Sequence, residues 1–430
     1  MGSHGGVGRN HPNAYDLILW YYPARRVSGM LLSTRHPCEK VGSKMQIADG
    51  ITYIGVNDHQ LDLFEGQYIV PNGMAYNSYL IASDKIAVMD GVDGHFVDEW
   101  MGKLEAALDG RTPDYLIVQH MEPDHSGSIQ AFAERYPEAT IVASVGAFNM
   151  MLNYFGTKFE GRNMVVKEGS TLSLGAKELR FVAAPNVHWP EVIFTYDETD
   201  KVLFSADAFG KFGALDVEED WDCEARRYYF GIVGKFGKNV QAVLKKVAKL
   251  EVEVICPLHG PILSENLEHY LGQYETWSSY GVETAGVVIA YTSVYGHTKE
   301  AVELLAKTLE EKGCPRVVVT DLARDDQAEA VEDAFRHGHL VLATTTYCGG
   351  VFPAMHEFIH HLLDHDFQNR TVAFVENGSW MPTATKGMRA LMEQCKGIAF
   401  TEHNVTIKGS LSDDSRAQID ALADELVAQF

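Results

Sequence analysis

The chain has 430 residues, of which 46% are hydrophobic and 22% are charged, a composition typical of a globular protein long enough for two domains. Its formal net charge of −23 disfavours a nucleic-acid partner, and no apolar run reaches the roughly 18 residues that a membrane span needs. The six cysteines form no Cys-x-x-Cys pair, which argues against a disulfide scaffold and favours a reducing, cytoplasmic location.

Residues 1–44 differ from the rest of the chain. Residues 1–6 are typical of an added tag, and the apolar stretch that begins at Leu17 is followed by Arg25 and Arg26, whereas a signal peptide carries its charges first. We therefore expect residues 1–44 to be a poorly ordered leader or tag, with the first domain beginning near Met45.

Short strand patterns dominate residues 45–282. They alternate with helical stretches at 96–108, 129–135 and 147–154, and a second series of strands closes at 252–256. Two strand-rich halves with helices between them predict two sheets packed face to face and covered by helices, which is an αββα sandwich.

A dense group of metal-capable side chains follows the apolar strand at 115–118. The segment reads His-Met-Glu-Pro-Asp-His over residues 120–125. Alternate residues of an extended chain point the same way, so His120, Glu122 and Asp124 are expected to share a face, and the next turn can bring His125 round. So many ligands in six residues cannot all face one ion, and the pattern therefore predicts two metal ions close together.

Three later strands each end at a further metal-capable residue, namely His188, Asp207 and His259. A single histidine at a strand end is ordinarily a plain polar residue. Four histidines and three carboxylates, all placed at strand ends, favour a metal site, because a carboxylate can bridge two ions while imidazoles complete each one.

This ligand pattern resembles that of the metallo-β-lactamase-like domain of the flavodiiron proteins. Hydrolases of the same superfamily have a histidine in place of Glu122 and bind zinc, whereas a carboxylate-richer pair suits iron. The resemblance implies two iron positions, one held by His120, Glu122 and His188, the other by Asp124, His125 and His259, with Asp207 as the bridge.

For two further sets of residues, the sequence does not decide between a role at the metal site and ordinary packing. Tyr228 or Tyr229, at the start of a helical stretch, could line the pocket or donate a hydrogen bond. Asp90 follows the strand at 86–89 and could orient a ligand histidine, or it could be a turn aspartate.

Residues 283–430 alternate regularly between five strand patterns and five helices. This alternation predicts a second domain with a doubly wound parallel sheet, in the flavodoxin-like strand order 2-1-3-4-5. Four histidines (His356, His360, His361 and His365) lie on a helix expected at 354–367, and we interpret them as a solvated helix face rather than a metal site.

Three loops rich in small and polar residues follow strands of this sheet. The first resembles the loop with which flavodoxins bind the FMN phosphate, and it lacks the lysine of a nucleoside-triphosphate loop. Tyr347 and Trp380, in the other two, could stack on the flavin ring. The residues expected to bind FMN are Thr292, Ser293, Val294, Tyr295, Gly296, His297, Thr298, Thr344, Thr345, Thr346, Tyr347, Cys348, Gly349, Gly350, Asn377, Gly378, Ser379 and Trp380.

The resemblance covers nearly all of residues 45–430 and implies a flavodiiron oxidoreductase that reduces O2 to water, NO to N2O, or both. A flavin and an iron pair together store four electrons, which is the number that reduces O2 to two waters without releasing peroxide. The family also implies an external electron donor (rubredoxin, a flavin reductase or a deazaflavin) and a head-to-tail homodimer or a dimer of dimers. The alternatives are a zinc-dependent hydrolase with an appended flavodoxin domain and a non-catalytic electron carrier.

Overall fold

The computed structural model of the protein describes residues 45–430, which belong to one compact unit. The leader or tag expected at 1–44 lies outside the described residues. The domain boundary expected at 282/283 stays a prediction. Among the described helices, none combines the length and the apolar character that crossing a membrane requires.

The first eleven strands are short and form one large sheet and two strand pairs. In chain order they are β1 (Gln46–Ala48), β2 (Ile51–Tyr53), β3 (Val56–Asp58), β4 (Leu63–Phe64), β5 (Tyr68–Ile69), β6 (Met74–Tyr76), β7 (Tyr79–Ala82), β8 (Ile86–Met89), β9 (Tyr115–Val118), β10 (Thr140–Ala143) and β11 (Asn163–Val165). Seven of them form one sheet in the order β1-β2-β7-β8-β9-β10-β11, while β3 pairs with β6 and β4 with β5. The strands from β8 to β11 run parallel.

A second, five-stranded sheet faces the first. Its strands, in both chain order and spatial order, are β12 (Thr171–Ser173), β13 (Glu178–Ala183), β14 (Ile193–Asp197), β15 (Val202–Phe204) and β16 (Val254–Cys256). Alternate apolar residues of both sheets, such as Ile117 and Phe181, form one buried core, in which the rings of Tyr79 and Phe204 lie 5.4 Å apart. The period-two alternation of apolar side chains thus decides which face of each strand points between the sheets.

Helices cover the outer faces of both sheets. They are α1 (Val97–Leu108), α2 (Pro123–Ser126), α3 (Ile129–Arg135), α4 (Val145–Phe155), α5 (Trp221–Tyr228), α6 (Gly237–Val247) and α7 (Leu267–Ser278). In α1, residues four apart (Trp100, Leu104 and Leu108) are buried and pack in the same cluster as Leu116 and Val118 of β9. The predicted αββα sandwich is confirmed.

The remaining chain forms the predicted doubly wound sheet. Its elements are β17 (Thr284–Tyr291), α8 (His297–Glu311), β18 (Val317–Asp321), α9 (Gln327–Arg336), β19 (His337–Thr345), α10 (Pro353–Asp364), β20 (Thr371–Asn377), α11 (Ala384–Met392), β21 (Ala399–Phe400), β22 (Val405–Ile407) and α12 (Asp413–Val427). The order β18-β17-β19-β20, with β21 and β22 both parallel to β20, confirms the predicted 2-1-3-4-5 topology. The fifth strand is split, and its second piece was not expected.

The histidine-bearing helix is only partly the solvated face that the sequence suggested. His356 and His360 are exposed, as expected. His365 follows the end of α10, is half-buried, and has its Nε2 3.0 Å from the carbonyl oxygen of Gly231. For His365 the expectation of a solvated position was therefore wrong, because the sandwich packs against this end of the helix.

Candidate metal centre and cofactor cavity

The metal-capable segment lies immediately after β9, beyond the end of the strand. Glu122 is the N-cap of the short helix α2, which begins at Pro123, the residue type best suited to a first helical position. The expectation that Asp124 shares an extended face with His120 and Glu122 is therefore wrong. The helical turn directs Asp124 and His125 away from their two neighbours.

The predicted ligands come together in two groups. Within each group the ligand atoms lie within 4.8 Å of one another. Group A consists of His120, Glu122, His188 and Asp207, and group B consists of Asp124, His125 and His259.

Asp207 lies between the two groups and presents one carboxylate oxygen to each. Its Oδ2 is 3.1 Å from Nε2 of His120 and 3.0 Å from Nε2 of His188. Its Oδ1 is 3.3 Å from Nε2 of His125 and 3.7 Å from Nε2 of His259. This is the arrangement that a carboxylate bridging two cations requires.

The atoms of both groups fit metal ions better than they fit one another. The Nε2 atoms of His120 and His188 are 3.3 Å apart, and those of His125 and His259 are 3.0 Å apart. In each pair two ring nitrogens thus face each other, as they do when both bind one metal ion. Neither Asp124 nor Asp207 has a hydrogen-bond donor of normal geometry among the described residues, although their oxygens are buried. Buried carboxylate oxygens without donors call for a cation.

The electrostatics of group A point the same way. Burial opposes charge on both partners, yet the nearby carboxylates raise the pKa of His120 well above its ordinary value and that of His188 to about 9. The same imidazoles lower the pKa of Asp207 well below its usual range. Without an ion the imidazoles hold protons that a metal would displace on binding.

The carboxylate that contacts the far ring nitrogen of a candidate ligand histidine is not Asp90, the residue considered from the sequence. Asp90 accepts hydrogen bonds from the backbone N–H and the side-chain amide of Gln119, at 2.7 and 2.9 Å, and none from a ligand histidine. Instead, Nδ1 of His120 is 2.9 Å from Oε1 of Glu191, a residue that the sequence did not single out. Its position three residues after His188 was the available signal.

Tyr228 and Tyr229 take different places, although both are buried. The ring centroid of Tyr228 is 5.5 Å from that of His259, so this residue borders group B. Tyr229 begins a π-helical turn and packs against Tyr274 and Trp277, away from the ligands. Tyr228 therefore lies beside the candidate metal ligands, whereas Tyr229 takes part in ordinary core packing.

Aromatic side chains from the two small strand pairs, β4-β5 and β3-β6, lie beside group B. The ring of Phe64, in β4, lies edge-on to His259 at 5.5 Å, and that of Tyr76, in β6, lies 6.1 Å from the same histidine. Nδ1 of His259 is 2.7 Å from the carbonyl oxygen of Ala75, which fixes the orientation of the ring.

The loops expected to bind FMN line one cavity of about 410 Å³ at the C-terminal ends of β17, β19 and β20. Of the predicted residues, fourteen contribute to its wall: Ser293, Val294, Tyr295, His297, Thr298, Thr345, Thr346, Tyr347, Cys348, Gly349, Asn377, Gly378, Ser379 and Trp380. Met381 and Gly409 also line it and were not predicted. The unforeseen Gly409 follows β22, the strand piece that the sequence did not reveal.

Four predicted residues do not line this cavity: Thr292, Gly296, Thr344 and Gly350. The hydroxyls of Thr292 and Thr344 contact each other at 2.5 Å behind the loops, and the backbone of Gly350 pairs with Tyr347 to close the second loop. Gly296 has φ +95, a conformation that favours glycine, and it caps α8. These residues shape the loops from behind.

The rim of the cavity is unusually apolar and exposed. The side chains of Tyr295 and Trp380 are 91% and 90% exposed, and Tyr347 is half-exposed. In the first loop, Ser293 Oγ accepts hydrogen bonds from the N–H groups of Gly296 and Lys299 at the N-terminus of α8. The cavity thus joins an anion-binding helix terminus to aromatic side chains that suit a planar ring.

Comparison with known proteins gives a family match for each half of the chain. Residues 74–260 match the ODP family beta lactamase, and residues 288–402 match a flavodoxin domain. The two matches fall on either side of the predicted domain boundary.

Several relatives match across both halves. Coenzyme F420H2 oxidase of Methanothermobacter marburgensis is 30% identical, over 76% of this chain and 83% of its own length. Nitric oxide reductase of Moorella thermoacetica is 28% identical, over 84% of this chain and 92% of its own. The chain spans about half the length of the diflavin flavoproteins that it also matches, such as diflavin flavoprotein A 1 of Synechocystis sp., which is 34% identical over 66% of this chain and 51% of that protein.

A solved structure shares the whole architecture. Rubredoxin oxygen:oxidoreductase from Desulfovibrio gigas superimposes with a TM-score of 0.84 over 90% of this chain and 98% of its own, at 24% sequence identity. At this identity the likeness establishes the fold, in which a lactamase-type sandwich is followed by a flavodoxin-type sheet.

Proposed function

We infer that this chain, which belongs to the flavodiiron protein family, is an oxidoreductase that reduces O2 to water, NO to N2O, or both. The observation that carries the inference is Asp207, which presents one oxygen to each of two ligand groups. The same chain contains a flavodoxin domain. Glu122, an oxygen ligand, favours iron over zinc in group A.

The flavodoxin domain and the flavodiiron relatives imply FMN and a non-haem iron pair as cofactors. A bound iron pair would supply the redox chemistry for reducing the gas, and a bound flavin would supply the electrons. We propose that His120, Glu122 and His188 hold one iron, that Asp124, His125 and His259 hold the other, and that Asp207 bridges them.

Residues around the ligands would control water and protons. Phe64 and Tyr76 cover His259 with apolar surface, which keeps bulk water from group B. Burial and the nearby carboxylates, Asp207 first among them, raise the pKa of Tyr228 well above its ordinary value. Its hydroxyl therefore keeps its proton at neutral pH and is placed to donate a hydrogen bond beside the ligands.

In the cofactor cavity, the proposed roles follow the chemistry of the lining residues. The N-terminus of α8 and the hydroxyl of Ser293 suit the phosphate of FMN. Tyr347 and Trp380 suit the two faces of the flavin ring, and glycines of the second and third loops let backbone approach it.

An electron donor is needed besides the gas. The relative that acts on coenzyme F420H2, a reduced deazaflavin, supports a deazaflavin as one donor, and we propose rubredoxin or a flavin reductase as the others. We also propose a head-to-tail homodimer or a dimer of dimers. A second copy of the chain would bury the exposed aromatic side chains of Tyr295 and Trp380, which is favourable because their apolar surface leaves water.

The test is gas consumption by the protein loaded with iron and FMN and reduced by one donor under anaerobic conditions. We expect the addition of O2 or NO to reoxidise the flavin at a rate well above that of the iron-free protein. The same preparation loaded with zinc is the control. Hydrolytic turnover by the zinc form, with no gas consumption by the iron form, would favour a zinc hydrolase, and a flavin that cycles without gas consumption would favour an electron carrier.

A further inference from the structure

The loop between β13 and β14 carries two groups that act on the same imidazole from opposite sides. It is closed by a backbone hydrogen bond from Ala184 N–H to Val192 O, at 3.0 Å. His188 presents its Nε2 to the ligand nitrogen of His120, at 3.3 Å. Glu191, three residues later, reaches Nδ1 on the far side of the same His120 ring, at 2.9 Å.

Glu191 is held firmly in this position. Its side chain is fully buried, and Oε1 also accepts a hydrogen bond from the N–H of Met121, at 2.9 Å. Its backbone carbonyl accepts a hydrogen bond from Ser144 Oγ, at the start of α4. A Cβ added at Gly146 would lie 2.9 Å from the Cβ of Glu191, so the first turn of α4 packs directly on it. The two hydrogen bonds of Oε1 and the close packing at Cβ thus hold the carboxylate beside His120.

The corresponding histidines of group B lack such a partner. Nδ1 of His259 faces a neutral carbonyl oxygen, that of Ala75, and Nδ1 of His125 has no hydrogen-bond partner among the described residues. Group A therefore has one carboxylate behind an imidazole ligand in addition to the ligand Glu122. Group B has the single unshared carboxylate of Asp124.

A carboxylate behind a metal-bound imidazole has known consequences. It accepts the Nδ1 proton, fixes the tautomer that leaves Nε2 free for the metal, and makes the imidazole a stronger electron donor. A stronger donor holds a metal ion more tightly and favours its more highly charged oxidation state.

We propose that Glu191 is a positioning residue that makes the two metal positions unequal, so that iron at group A binds more tightly and is harder to reduce than iron at group B. This inference rests on the proposed diiron function. It adds an order of events: iron at group B is lost first and reduced first, and iron at group A follows.

The test uses Glu191→Gln, which keeps the size of the side chain and an acceptor oxygen but removes the charge. With the iron-loaded protein and an excess of a ferrous chelator, we expect one of the two irons to be held about 10- to 100-fold less tightly than in the wild type. The second reduction step of the iron pair, which belongs to group A in this proposal, should move to a higher potential in a redox titration followed by electron paramagnetic resonance. FMN content should be unchanged.

Asp197→Asn is the matched control. Asp197 is a fully buried carboxylate at the far end of β14, the strand that follows Glu191, and it contacts Thr199 and Lys177 rather than any ligand. We expect this variant to keep the wild-type iron release and reduction steps. If Glu191→Gln does not fold, Glu191→Asp retains the charge on a shorter side chain and should show a smaller change in the same direction.

The outcomes separate this inference from the proposed function. If the wild type binds two irons and Glu191→Gln releases both and reduces both as the wild type does, the inference is wrong and the proposed function stands. If the wild type binds no iron pair, the proposed function itself fails. A change of equal size in Asp197→Asn would assign the effect to buried charge in general and would also overturn the inference.

Discussion

Asp207 lies between the two candidate metal groups. It is fully buried, it contacts imidazoles of both groups, and neither of its oxygens has another donor among the described residues. The imidazoles that surround it keep its carboxylate ionised. A single substitution here should therefore empty both positions rather than one.

We predict that Asp207→Ala loses the iron pair, from two irons per chain to almost none, and retains FMN. The bridging ligand is lost from both groups at once, while the cofactor cavity lies on a different sheet. Iron and flavin analysis of the purified variant is the measurement. Asp216→Ala, at an exposed aspartate nine residues further on, is the control and should keep both cofactors. Wild-type iron content in Asp207→Ala would exclude the bridging role.

His337, which is not among the candidate metal ligands, gives the protein a source of acid sensitivity. It begins β19, with Nδ1 3.0 Å from the carbonyl oxygen of Thr284, and burial together with Arg336 and Arg316 lowers its pKa to about 4. The folded state thus prefers the neutral ring, so this stabilisation is complete above pH 6.5 and is lost as the pH falls toward 4.

His337→Asn should remove this acid sensitivity, since asparagine keeps a donor for the Thr284 carbonyl and does not titrate. Between pH 7 and pH 4 the wild type should lose about 1 to 2 kcal/mol more free energy of unfolding than the variant, after allowance for solvent screening. Denaturant unfolding at both pH values is the measurement. Equal losses in the two proteins would contradict the prediction.

Local sequence patterns located the candidate ligands that the fold brings together, but not the contacts that support them. All seven candidate ligands follow strands or occupy one short segment, so their positions could be read from local patterns. Glu191 escaped prediction because its contact with His120 joins residues 71 apart on different sheets. Asp90 was considered as a partner of a ligand histidine, but it accepts hydrogen bonds from Gln119 instead. A local sequence pattern does not determine the direction in which a buried carboxylate points.

At the scale of elements, the stretch from α5 through the π-helical turn connects the two halves of the molecule. Arg226 binds Glu283 through two nitrogens, at 2.6 and 2.7 Å, and also contacts Glu332 of α9. The ring of Phe230 stacks on Phe335 of α9, at 4.2 Å. The same stretch carries Tyr228, which borders group B.

We predict that Arg226→Met lowers the free energy of unfolding by about 3 to 5 kcal/mol, because it leaves the buried carboxylate of Glu332 without its partner. Adding Glu332→Leu should recover part of this loss. Lys307→Met, which breaks an exposed pair with Glu311, is the control and should change stability by less than about 0.5 kcal/mol. A loss below 1 kcal/mol in Arg226→Met would show that this ion pair does not link the halves.

The type and order of the elements were predictable, while several boundaries were not. Regular alternation after residue 283 predicted the parallel sheet and its strand order, but the second piece of the fifth strand, β22, has only three residues and leaves little local signal. The short helix α2 was also not predicted, because the alternating metal-capable residues around Pro123 are typical of an extended segment.

For the whole molecule, we predict a mass in solution of at least a dimer. Exposed aromatic residues around the cofactor cavity, among them Trp380, favour contact with a second copy. Light scattering gives the mass, and activity on dilution shows whether the dimer is needed. Trp380→Ala should weaken the association, while Phe430→Ala, at an exposed aromatic residue of the C-terminus, should not. A monomer with full activity would refute the dimer.

The central claim is that one chain stores about four electrons, in a flavin and an iron pair, and passes them to a diatomic gas. The most direct measurement is a single turnover without any donor, in which the fully reduced protein meets O2 or NO and the gas consumed per chain is counted. We predict about one O2 per chain with no hydrogen peroxide, or about four NO per chain with N2O as the product. Accumulation of peroxide, or no gas consumption beyond that of the iron-free protein, would contradict the account.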